Sequence, residues 1–101
     1  MIAEREVSEL IDRDTIPIVS RRLFTAVRLC VYGARVRFYD LTLNFASGRS
    51  QSVPIRQYIE AGQCTRAFPI SGGRRSLTSM RLTYEQASLG LRKATARLFG
   101  Q

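Results

Sequence analysis

Histidine is absent from the 101 residues, lysine occurs once, at Lys93, and cysteine twice, at Cys30 and Cys64. Without histidine the chain lacks the commonest general base and the commonest metal ligand, so histidine-dependent catalysis is excluded. Two cysteines this far apart form no CxxC pair and supply neither the number nor the spacing of zinc ligands. No run of about 18 apolar residues is present, so no membrane-spanning helix is expected. The acidic segment from Met1 to Glu9 lacks the layout of a signal peptide. Acidic residues are also scarce, 8 against 16 basic ones, for a net charge of +8.

All the basic residues except Lys93 are arginine. The planar guanidinium fork suits phosphates, carboxylates and aromatic faces, so the natural partners of such a surface are an acidic protein, an anionic surface or nucleic acid. Apolar residues make up 45% of the chain, enough for one core, and the length suits one domain over residues 1–101.

Period-two alternation marks the centre of the chain as strands. Leu23, Val27, Leu29 and Val31 share one phase, and Phe24, Ala26, Arg28, Cys30 and Tyr32 the other. Gly33 and Ala34 then read as a hairpin connection. Val36 and Phe38 resume the apolar phase, with Arg35, Arg37 and Tyr39 opposite. The phase shifts to Leu41, Leu43 and Phe45, which predicts a β-bulge near Tyr39 and Asp40.

Ser47, Gly48 and Arg49 predict a turn. Pro54, which has no backbone donor, predicts an edge position for the strand containing Val53 and Ile55. Gly62 breaks the chain before Arg66, Phe68 and Ile70, and Ser71, Gly72 and Gly73 predict another turn. Met80, Leu82 and Tyr84 form a further strand. A loop or short turn is expected from Glu85 to Arg92 and a strand from Ala94 to Phe99; the alternative is a helix. Near the start, Val7, Leu10 and Ile11 fit one helical turn, whereas Ile16, Pro17 and Ile18 read as extended.

The order of these motifs resembles an uncharacterised family of small secreted bacterial β-sandwich proteins. The matching residues begin with Glu4, Arg5 and Val7, the run Asp12, Arg13, Asp14 with Ile16, and the strand end Phe38, Tyr39, Asp40, Leu41. They continue through Gly48, Val53, Pro54, Ile55 and Arg56, then Gly62, Thr65 and Arg66, then Gly72, Arg75, Leu77 and Met80, and close on Ala94, Leu98 and Gly100. The resemblance implies a sandwich and export but no particular activity. The expected location is therefore periplasmic or secreted if a presequence has been removed, and cytoplasmic otherwise.

The expected fold is an all-β, two-layer antiparallel sandwich of seven or eight strands with Greek-key connections; a five-stranded OB-like barrel is the alternative. The expected hairpin places Arg28, Tyr32, Arg35, Arg37 and Tyr39 on one outward face. Interleaved guanidinium and aromatic groups suit a protein interface or the tracking of a single-stranded nucleic acid, and also a solvated strand face. The function expected is a noncatalytic module that binds a protein partner or an anionic surface through this face. Single-strand nucleic-acid binding is the alternative.

Other clusters carry weaker signals. Arg66, Arg74 and Arg75 surround a glycine-rich turn that lacks the lysine and length of a phosphate loop. Asp12 and Asp14, with Asp40, are candidate oxygen ligands for calcium, although no loop signature accompanies them. Glu60 and Glu85 fall in expected loops without an identifiable partner. Cys30 lies on the outward phase of its strand and Cys64 on the phase of Phe68 and Ile70, which predicts different layers and disfavours a disulfide. No catalytic residue, cofactor or metal is assigned.

Overall fold

Among the described residues nine strands follow one another along the chain: β1 (Ala3–Val7), β2 (Ile11–Pro17), β3 (Leu23–Phe24), β4 (Ala26–Tyr32), β5 (Val36–Phe45), β6 (Ser50–Ile59), β7 (Phe68–Pro69), β8 (Arg75–Gln86) and β9 (Ala94–Gly100). The computed structural model describes residues 1–7, 11–18, 20, 22–86 and 94–101, and the side chains of all of these except 11–14 and 86. Among the described residues no helix is long and apolar enough to cross a membrane.

The strands form two antiparallel sheets, one in the order β1-β9-β4-β7 and the other in the order β2-β8-β5-β6, with β3 pairing separately to β8. The expected sandwich is present, with nine strands rather than seven or eight because β3 and β7 are two-residue pieces. Neither sheet closes on itself, so the OB-like barrel is set aside. Of the paired strands, β5 and β6 form a hairpin through the turn at Ser47–Arg49, whereas β8 returns from the other layer to lie beside β5. Such crossovers are of the Greek-key kind rather than a meander.

Alternation builds the core. β5 buries Val36, Phe38, Leu41, Leu43 and Phe45, and β8 buries Leu77, Met80, Leu82 and Tyr84. The opposing sheet contributes Val27, Leu29 and Val31 from β4 and Ala94, Ala96 and Leu98 from β9. Phe38 and Tyr84 meet edge to face with centroids 6.4 Å apart. Each large side chain buried in this way contributes roughly 1.5–3 kcal/mol relative to exposure.

The predicted bulge is present: Phe38 pairs with Gln57 but Asp40 with Pro54, so Ile55 and Arg56 together oppose Tyr39. Against β8 the extra residue is Tyr39 itself, because Phe38 pairs with Tyr84 and Asp40 with Thr83. Arg56 takes a positive φ of 47°, a region that non-glycine residues seldom adopt. β6 is an edge strand, as Pro54 predicted.

The hairpin expected between residues 23 and 38 does not form. β4 pairs with β9 and β7, β5 pairs with β6 and β8, and the turn from Gly33 to Arg35 carries the chain from one layer to the other. Alternation fixes which side of a strand is apolar but not which strand lies beside it. The phase through residue 23 also breaks, since Leu23 is 57% exposed and Phe24 is buried. Val7 and Ile11 lie in strands rather than a helical turn, and Leu10 lies outside the described residues. Glu85 and Gln86 lie in β8 instead of opening a loop; the rest of that expected loop, from Ala87, lies outside the described residues. The strand expected from Ala94 is β9.

Candidate functional site

Because β4 and β5 belong to different layers, the five arginines and tyrosines expected on one face divide between two. Arg28 and Tyr32 lie on the outer face of the β1-β9-β4-β7 sheet, and Arg37 and Tyr39 on the outer face of the β2-β8-β5-β6 sheet. Arg35, in the connecting turn, joins the second group through Tyr58, over whose ring its guanidinium sits at 4.9 Å.

On the second face, Arg37 pairs in register with Tyr58 of β6 and Glu85 of β8. Its guanidinium lies 5.0 Å from the Tyr39 ring centroid and 5.4 Å from that of Tyr58. Arg35 forms an ion pair with Glu60 at 3.3 Å. The Tyr39 hydroxyl donates to Glu85 Oε2 at 2.5 Å. That hydrogen bond, more than desolvation, raises the Tyr39 phenol above its ordinary value. Tyr58 remains 51% exposed. The bulge is what turns both Tyr39 and Asp40 outward, next to each other, on this face.

Beyond the Tyr58–Arg37–Glu85 row, the same face continues with Asp40 beside Thr83, and then Ser52, Thr42 and Arg81 in register. Asp40, Thr42, Ser52, Arg81 and Thr83 line a shallow hollow of about 260 Å³. Among the described residues the side chains of Asp40 and Arg81 have no hydrogen-bond or ion-pair partner.

The first face is organised differently. Cys30 and Cys64 form a disulfide, which corrects the expectation that the thiols point to different layers. Cys30 is outward on β4 as read, but the segment after Gly62 runs antiparallel along β4 and brings Cys64 directly opposite it, with Cα atoms 4.0 Å apart. Val31 N–H donates to Gln63 O at 3.0 Å and Thr65 N–H to Leu29 O at 2.8 Å, holding the pair between them. No regular strand joins Cys64 to Phe68, so the phase of Phe68 carries no information about Cys64. The covering segment buries Cys30, although it sits on the outer side of its sheet. Alongside, Arg97 stacks on Tyr32 at 4.7 Å and donates through Nε to Glu4 Oε1 at 2.5 Å.

The glycine-rich turn does not gather its arginines into one anion site. Arg75 donates through Nε to Ser71 O at 2.8 Å and stacks over Phe45, whereas Arg66 stacks over Phe68. Gly72 packs against the Arg75 guanidinium, and its positive φ of 85° favours glycine there. Arg74 lines a separate hollow with Arg22. Asp12 and Asp14 are opposite Tyr84 and Leu82 in the β2–β8 register. Their side chains lie outside the described residues. The whole of β8 stands between β2 and the Asp40 strand. Among the described residues no three potential ligands gather for a metal ion. Glu60 and Glu85 do have partners, in Arg35 and Tyr39.

Tyr58, Arg81, Thr42, Thr83 and Ser52 were not singled out from the sequence. Each sits on the polar phase of its own strand, but their proximity depends on β5 lying between β6 and β8, which alternation does not specify.

The family model of a domain of unknown function, DUF2541, matches residues 1–100. No curated protein matches the chain. The fold is similar to that in a solved structure described as "Structural and functional characterization of Pseudomonas aeruginosa AlgX", with a TM-score of 0.57 and 15% identity over 98% of this chain. That alignment covers 26% of the AlgX chain, so this chain spans about a quarter of that protein's length. At this identity the likeness is one of fold alone.

Proposed function

The chain belongs to the DUF2541 family of unknown function, and we propose that it is a noncatalytic binding module whose partner docks on the outer face of the β2-β8-β5-β6 sheet. The carrying observation is Arg37, held between the rings of Tyr39 and Tyr58. Stacking between two rings orients the guanidinium while its N–H edges stay open to a partner, and tyrosine and arginine are the residues most enriched where binding energy concentrates. The absence of histidine and the engagement of Glu60 and Glu85 by their own neighbours support a binding role over a catalytic one.

The test compares capture from a cell-envelope extract by the immobilised full chain, by Arg37→Glu and by Arg28→Glu. Arg37→Glu is expected to lose the captured material and Arg28→Glu to keep it. Equal capture by both variants, or no capture by the unaltered chain, sinks the reading.

We also infer that the protein works in an oxidising compartment, periplasmic or extracellular. The Cys30–Cys64 disulfide supports this, since such bonds persist where the cytosolic thiol pool is absent. Alkylation of intact cells followed by mass analysis should find both thiols unmodified and bridged; two alkylated thiols would refute it.

A further inference from the structure

A protein face that binds another protein centres on an apolar patch, and one that binds nucleic acid presents one sign of charge. Among the described residues the outer face of the β2-β8-β5-β6 sheet does neither. The hollow is lined by one carboxylate, one guanidinium and three hydroxyls. The exposed Asp40 carboxylate only accepts hydrogen bonds; Arg81, also exposed, only donates; Thr42, Ser52 and Thr83 do both. A phosphate backbone would satisfy Arg81 and be repelled by Asp40, and Glu60 and Glu85 lie on the same side.

The ligand chemistry that uses every one of these groups is a dense array of hydroxyls, each of which donates to a carboxylate and accepts from a guanidinium. Tyr58 supplies the second component. Its ring is half exposed, stands one outward row along from Asp40, and is held in place by the Arg35 and Arg37 guanidinium groups over it. The exposed part of an aromatic ring held in this way offers an apolar surface to the C–H side of a pyranose ring while polar neighbours take its hydroxyls. Successive outward rows on a strand are about 6.8 Å apart, so an extended chain of sugars lying along β5 meets Tyr58 and the hollow in turn.

We propose that the hollow formed by Asp40, Thr42, Ser52, Arg81 and Thr83, together with the adjoining Tyr58 ring, is a glycan-binding site that takes one pyranose residue in the hollow and a neighbour on the ring. The assignment rests on the binding-module reading above and names its ligand class. The glycan is held by directed hydrogen bonds rather than by net charge, so its affinity responds weakly to salt.

The test is a titration of the labelled full chain against an array of purified neutral oligosaccharides, followed by calorimetry on the sugars retained. Binding of at least one oligosaccharide is expected. The affinity should fall about tenfold or more in Asp40→Asn, which removes a charge-assisted acceptor without changing shape, and in Tyr58→Ala. Thermal unfolding should show both variants folded, and Arg28→Glu, on the other face, should bind normally. No glycan bound at millimolar concentration overturns the assignment, as does binding that Asp40→Asn and Tyr58→Ala both leave intact. If Arg37-dependent capture from the envelope extract persists while no glycan binds, the binding face stands and its glycan ligand is refuted. Loss of both refutes both.

Discussion

The two outer faces of the sandwich come from the same alternating pattern and have been put to opposite uses. On the β1-β9-β4-β7 side Arg28 stays exposed, but the outward residues beside it are engaged within the fold. Cys30 is bridged, Tyr32 is covered by Arg97, and Arg97 is tied to Glu4. On the β2-β8-β5-β6 side the outward residues support one another at one end, around Arg37, and at the other end Asp40 and Arg81 have no partner among the described residues. An arginine beside a tyrosine in a sequence therefore says little about binding. What separates the two cases is whether the polar group has already been satisfied within the molecule.

The comparison breaks most readily at the disulfide. Its closed loop has a sequence separation of 34, for which the chain-entropy relation gives about 3–4 kcal/mol of stabilisation. Cys30→Ala/Cys64→Ala, or a reductant, should lower the unfolding midpoint by on the order of 15 °C in a thermal scan. Below that midpoint the Arg37 face should still bind; loss of binding there would show that the faces are coupled.

A smaller loss is expected at Thr65, the buried polar residue of the covering segment. Its Oγ1 accepts from Leu29 N–H at 3.1 Å and donates to Arg66 O at 2.8 Å. Thr65→Val leaves the Leu29 donor buried and unmet at a cost of about 1–3 kcal/mol, measurable as a shifted denaturant midpoint. An unchanged midpoint would mean that the segment is not held by this side chain.

On the open face the equivalent substitutions should scarcely affect stability. Arg35→Glu/Arg37→Glu is expected to stay within roughly 0.5–1 kcal/mol of the unaltered chain, because both residues are exposed. A larger loss would make the Arg37 cluster structural, like the cluster around Arg97.

The smallest effect concerns Tyr39. Its phenol is held protonated by the hydrogen bond to Glu85, so its pKa in the folded chain is raised above 10.0. Whatever stability this adds is complete below the ordinary tyrosine value and disappears as pH rises through the raised one. Tyrosinate absorbance should show one late-titrating phenol that Tyr39→Phe removes and that Glu85→Ala moves back toward 10.0. If the late component survives Glu85→Ala, burial rather than the hydrogen bond sets the value.

The residues explain which features were legible beforehand. Leu82 and Tyr84, or Leu41 and Leu43, announce their strands because alternation is a local property, and the bulge at Tyr39 was visible because inserting one residue inverts that alternation. Pairing is not local. Gly33, with φ of 91°, suits a turn whether the following strand folds back beside β4 or crosses to the other sheet, so the false hairpin and the true crossing look alike. The disulfide is hidden for a related reason: residues 65–67 form no strand, so the phase of Phe68 does not extend back to Cys64. The hollow at Asp40 required three strands to be placed side by side, and no single stretch of sequence contains that information.

The irregular edge at β6 has a consequence for how many copies of this protein can share a surface. Pro54 offers no N–H, and the backbone at Arg56 turns out of the extended conformation, so the strand lacks an unbroken row of donors and acceptors for another strand to continue. Edge-to-edge stacking, the usual route from sandwich to fibril, is blocked along this side of the sheet. Molecules crowded side by side could not continue the sheet across this edge.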